Sequence, residues 1–109
     1  MEGDLIMGTR ANIIIKDTEK VVYLYRHNDG YPEGVGVELD EFFKMYFGDY
    51  THADVDDIAT KLIKNDDMRI ELTSGVHGDI EFVYQFDCDT KTVTVIDWLS
   101  EDVVAVVTY

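Results

Sequence analysis

The chain has 109 residues, of which 23 are acidic and nine basic, giving a formal net charge of −14. Apolar residues at 46% and aromatics at 12% exclude a charge-extended chain without a core, and the length suits one domain rather than two. The lone Cys88 excludes an intrachain disulfide, a four-cysteine zinc site and a paired redox motif.

A second methionine, Met7, offers another start, in which case residues 1–6 form a disordered extension. No basic segment followed by an apolar run opens the chain, and no stretch approaches the roughly 20 apolar residues that span a bilayer. A cytoplasmic protein without membrane contact is expected.

Arg10–Lys16 and Val21–His27 are rich in β-branched and aromatic residues and flank the polar turn Asp17-Thr18-Glu19-Lys20, which predicts a hairpin. In its second strand Val21, Tyr23 and Tyr25 share one face and Val22, Leu24 and Arg26 the other. Asn28 to Gly34 is dense in turn formers and holds the only proline. Leu39, Phe42, Phe43 and Tyr46 then recur at helical spacing, with Gly48 as the expected stop. Val55, Ile58, Ala59, Leu62 and Ile63 predict a second helix, capped near Thr51 or Asp54 and ending near Asn65, with Lys61 and Lys64 in its last turns.

From Met68 the period changes to two. Arg69–Leu72 reads as a short strand, Ile80–Phe86 and Thr92–Asp97 as a hairpin joined through Asp87–Lys91, and Val103–Thr108 as a last strand. The predicted class is α+β, an antiparallel sheet of about five strands in the order ββααβββ with both helices on one face.

Tyr25-Arg26-His27-Asn28-Asp29-Gly30-Tyr31-Pro32-Glu33-Gly34 is the densest polar cluster. A histidine near carboxylates is a usable acid/base pair, although Asp29-Gly30 and Pro32 are also ordinary turn chemistry, and Arg26 has Asp29 and Glu33 as candidate partners. With the opening Met7-Gly8-Thr9-Arg10-Ala11-Asn12, this segment resembles a set of small phage and bacterial proteins that begin MGTR and carry H-x-D-G-Y-P-x-G after their first hairpin. The resemblance covers about the first third of the chain. Members often carry tryptophan between the histidine and aspartate, where this chain has Asn28. What the resemblance implies is a phage or mobile-element origin, and through it a binding protein that inhibits a host protein.

Other chemistry is weakly signalled. His27, His52 and His77 lie in different loops without ligand spacing, so no metal is expected. Asp87-Cys88-Asp89 resembles the D-x-D of a phosphatase nucleophile only superficially, because it joins two strands of a hairpin and lacks the parallel α/β context. Cys88 is flanked by acids that disfavour its thiolate. The glycines form no phosphate-binding or dinucleotide loop, and no cofactor is expected.

Charge therefore carries the functional expectation. The helical part holds nine carboxylates against Lys44, Lys61 and Lys64. Such a surface repels nucleic-acid phosphates but attracts a basic protein groove. The expected function is a non-enzymatic, nucleic-acid-mimicking inhibitor, anti-CRISPR-like, of a basic host nuclease or nucleic-acid-binding complex, with Glu38, Asp40, Glu41, Asp54, Asp56 and Asp57 as contacts. A second reading is a small-molecule-binding domain or enzyme built on Arg26, His27, Asp29, Tyr31 and Glu33. A third is a subunit that self-associates through an exposed sheet edge or apolar patch, and the oligomeric state stays open.

Overall fold

The computed structural model describes residues 9–109; the proposed extension at residues 1–6 and the first two residues of the MGTR opening lie outside them. Six strands form one sheet: β1 (Ala11–Lys16), β2 (Val21–Arg26), β3 (Glu71–Thr73), β4 (Phe82–Asp87), β5 (Thr92–Asp97) and β6 (Asp102–Thr108). Their spatial order is β3-β2-β1-β4-β5-β6. Helices α1 (Val37–Asp49) and α2 (Val55–Lys64) lie between β2 and β3 in the chain.

The α+β class agrees with the sequence reading, whereas the all-antiparallel, five-strand sheet is corrected. β1 and β4 pair in parallel, Ala11 opposite Phe82 through Lys16 opposite Asp87, while every other neighbouring pair is antiparallel. The physical cause is a crossover. β3 adds outside β2, so the chain must return across β2 and β1, about 14 Å at three inter-strand spacings, before β4 can pair with β1. Residues 74–81 make that passage over the sheet face opposite the helices. Asn12, fully buried on β1, anchors them: its Nδ2 donates to the Leu24 carbonyl (2.8 Å) and the Gly75 carbonyl (3.3 Å), and its Oδ1 accepts from the His77 backbone N–H (2.8 Å).

The strand alternation divides two cores. Ala11, Ile13, Ile15, Leu24, Tyr84, Phe86, Val93 and Val95 pack with Leu39, Phe43, Tyr46, Val55, Ile58 and Leu62 of the helices. On the other face Ile14, Tyr25 and Val83 pack with Ile80 from the end of the crossover. Phe43 stacks on Phe86 with ring centroids 4.2 Å apart, fixing α1 over the middle of the sheet.

Helix ends follow local chemistry. Asp54 is the N-cap of α2, its carboxylate accepting from the Asp56 N–H (3.1 Å), and Lys61 and Lys64 occupy the last turn. Gly48 is not a stop: α1 continues to Asp49 and ends with Tyr50 in extended conformation. Among the described residues, no helix is long and apolar enough to cross a membrane.

Candidate functional site

The loop that opens α1 is assembled from the H-x-D-G-Y-P-x-G segment. Asp29 takes the left-handed conformation (φ 54°), and its carbonyl accepts from the Val35 N–H (2.8 Å). A Cβ on Gly34 would lie 2.4 Å from that same carbonyl oxygen, and one on Gly30 would lie 2.9 Å from the Ala11 Cβ, so close backbone approach requires both glycines. Pro32 begins a single π-helical turn, Pro32–Gly36, that runs into α1. The buried Tyr84 hydroxyl donates to the Gly30 carbonyl (2.7 Å), locking the loop to β4.

The candidate ligand residues in this loop are largely engaged. The Arg26 side chain is 1% exposed; its Nε donates to the Asn28 carbonyl (2.9 Å), and Nη1 and Nη2 donate to the two Glu38 carboxylate oxygens at 2.6 and 3.2 Å. Neither Asp29 nor Glu33, the partners considered from sequence, holds this guanidinium. Asp29 instead accepts from the Tyr31 hydroxyl (3.0 Å) and Arg69 Nη2 (3.2 Å), and the Asp29 carboxylate raises the Tyr31 pKa. His27 is exposed, with Nε2 3.2 Å from Glu71 and its ring edge-on to Tyr25. Glu33 lies in the π-helical turn. The segment thus seats α1 on the sheet.

A second polar cluster holds the crossover. The His77 ring stacks on Tyr25 (3.9 Å) and shares a hydrogen bond with the Thr73 hydroxyl (2.6 Å), while the Tyr25 hydroxyl donates to Asp79 (2.9 Å). Burial first, then the Asp79 carboxylate, pushes the Tyr25 pKa up to about 12. No group of three or more His, Cys, Asp or Glu among the described residues is arranged to hold a metal. Cys88 is buried, and burial ahead of the charges of Asp17, Asp87 and Asp89 pushes its thiol up to about 12. Its thiolate is scarce at neutral pH.

A recess with room for a ligand or partner lies between the helices. A cleft of about 490 Å³ is lined by Glu38, Glu41, Phe42, Met45, Tyr46 and Asp49 of α1, by Tyr50 and Lys61, and by Asn65, Asp67 and Met68 beyond α2. Its construction follows from helical geometry. Leu39, Phe43 and Tyr46 face the core, and the adjacent row through Glu38, Phe42, Met45 and Asp49 borders the cleft. The far wall is fixed by a 3-10 turn, Asp66–Met68, capped at its start by the Asn65 side chain, which accepts from the Asp67 N–H (3.2 Å). Met68 is buried at its base, whereas Met45 is 73% exposed.

The charges around this cleft are unequal in availability. Glu38 is paired with Arg26, and Lys61 is paired with Asp57 (2.7 Å) while lying over the Tyr50 ring (5.4 Å). Lys61, then the Tyr46 hydroxyl, holds the Asp57 carboxyl below its ordinary range, and burial with that same hydrogen bond raises the Tyr46 pKa. Glu41, Asp49 and Asp67 carry no ion pair among the described residues, so the net field of the cleft is theirs.

The six acids singled out from sequence are therefore divided among several contexts. Glu38 and Glu41 line the cleft. Asp40 is held by the Tyr109 hydroxyl and by Lys44 (3.0 Å), Asp54 caps α2, Asp56 binds Lys20 (2.5 Å) of the β1–β2 turn, and Asp57 is engaged as above. Of the residues lining the cleft, sequence reasoning named only Glu38 and Glu41 as contacts and missed the rest, among them Phe42, Met45, Asp49, Asp67 and Met68. The i, i+3 and i+7 spacing of Phe42, Met45 and Asp49 was the available signal; the wall opposite them comes from a turn with no periodicity. No family model, curated protein or solved structure matches this chain.

Proposed function

We propose that this is a non-enzymatic binding protein whose helical layer docks a basic surface of a nucleic-acid-handling host protein and so keeps nucleic acid from that surface. The observation that carries the reading is the interhelical cleft, where the buried Met68 forms an apolar floor flanked by Phe42 and the exposed Met45, beside the carboxylates of Glu41, Asp49 and Asp67, which carry no ion pair among the described residues. A partner side chain combining a long apolar stem with a cationic head, lysine or arginine, matches both parts. Surfaces that bind phosphates present such side chains in clusters, and a chain with a charge of −14 would be steered toward them. A carboxylate rim over an apolar floor adds register to a charge attraction that would otherwise be diffuse.

The experiment is capture from host lysate, then titration of the retained protein with salt and with nucleic acid. Retention that weakens with salt, is displaced by nucleic acid, and falls at least roughly tenfold for the triple variant Glu41→Lys, Asp49→Lys, Asp67→Lys is expected. Retention unchanged by that variant, with its circular dichroism intact, would refute the assignment of the cleft.

A further inference from the structure

The sheet ends on a strand that the helices do not reach. All seven residues of β6 are exposed, including Val103 (58%) and Val106 (59%). Ala105 and Val107 stand opposite Val95 and Val93, both members of the core under the helices, yet neither is covered. Val103 and Val106 stand opposite Ile96 and Thr94 on the other face. Among the described residues β6 pairs with β5 alone, so its outer edge presents backbone donors and acceptors that no described strand takes up.

Protection of the two sheet edges differs. β3, at the opposite edge, is three residues long and carries Glu71. β6 has no charged side chain from Val103 to Thr108 and no proline; its single irregularity is a bulge at Val104, between the Ile96–Val103 and Val95–Ala105 pairs. Beyond the bulge, Ala105 to Thr108 is a regular ladder.

We infer that the outer edge of β6 is a homodimer interface, pairing antiparallel with β6 of a second copy to continue the sheet across a two-fold axis near Val106. Antiparallel pairing is self-matching, so one edge serves both partners. In this register Val106 meets its own counterpart and Ala105 meets Val107, each on one face of the joined sheet. Charge selects the occupant. A basic partner is drawn to the carboxylates of the helical layer, whereas this neutral valine run offers it nothing, and two such runs meet without opposing like charges although each chain carries −14.

The dimer and the cleft complex respond oppositely to salt. Mutual repulsion of two acidic chains is screened by salt, so self-association strengthens as salt rises. Sedimentation equilibrium across protein concentration at low and high sodium chloride is the test. A monomer–dimer equilibrium that tightens with salt is expected, and Val106→Lys should weaken it at least roughly tenfold, even though lysine brings the net charge one unit nearer zero. Val106→Thr should weaken it less, and the triple cleft variant should still dimerise. A monomer at every salt and concentration overturns the inference, as does a Val106→Lys variant that keeps both its far-ultraviolet spectrum and its dimer.

Discussion

The centre of the sheet and its β6 end are built from the same residue types with opposite outcomes. Ile13 and Ile15 of β1 and Tyr84 and Phe86 of β4 are all but sealed, whereas the valines of β6 stand in solvent on both faces. The difference is supplied by the neighbours rather than by the strands. Two helices, of 13 and ten residues, roof one face of the central strands, the crossover covers the other, and neither layer extends over β6. An apolar strand within a sheet is thus a core element or an adhesive one according to how far the covering layer reaches.

The sharpest break between the regions is expected from truncation. Phe43→Ala removes a ring stacked on Phe86 and touching Tyr109, and should cost about 4 kcal/mol in urea unfolding. Val106→Ala, measured where the chain is monomeric, should change stability by less than about 0.5 kcal/mol. Comparable losses from the two would mean that β6 is covered in solution by part of its own chain.

A smaller effect separates the two partners of the Arg26–Glu38 bridge. Glu38→Gln leaves a guanidinium that is 1% exposed without its counter-charge and should cost about 3 kcal/mol. Arg26→Met leaves a carboxylate that is 36% exposed and can hydrate, and it fills the space with an apolar chain, so about 1 kcal/mol is expected. Equal costs in parallel urea titrations would show that the bridge is not governed by the burial of its arginine.

Much of this division was legible in the sequence, and the illegible part has a physical pattern. Alternation placed Tyr23 and Tyr25 on one face of β2 and Leu24 and Arg26 on the other, and helical spacing found Leu39, Phe43 and Tyr46; these are local signals, because they report which way a side chain points. The parallel β1–β4 pairing depends on where the chain returns after β3, which no period encodes. Arg26 falls on a largely apolar face, but the carboxylate that makes its burial tolerable lies twelve residues on, beyond a turn. The acids were legible as a count and not as an arrangement: Asp54, Asp56 and Asp57 are spent on a cap and two ion pairs, while Asp49 and Asp67 become neighbours only through the packing of α1 against the end of α2. The uninterrupted Val103–Val107 run predicts a strand and carries no information about whether a helix will cover it.

The smallest effect concerns a tie between the end of β6 and the helical layer. Tyr109, directly after β6, packs against Phe43 and Phe47, and its hydroxyl donates to Asp40 of α1. That hydrogen bond, then Lys44, holds the Asp40 carboxyl below its ordinary value of 3.8, while burial and the same contact raise the Tyr109 pKa. A depressed folded-state pKa means that the contribution is fully present above pH 3.8 and is lost as pH falls through the lower folded value. Wild type should therefore exceed Asp40→Asn in stability by less than about 1 kcal/mol at neutral pH, given how exposed the carboxylate is, and the gap should close on acidification below 3.8. Hydrogen exchange localises the effect: amides at the Thr108 end of β6 should exchange faster in Asp40→Asn at neutral pH, while those of β1 and β4 stay unchanged. A gap that persists in acid would show that the variant acts on the packing of α1 and not through the carboxylate that holds Tyr109.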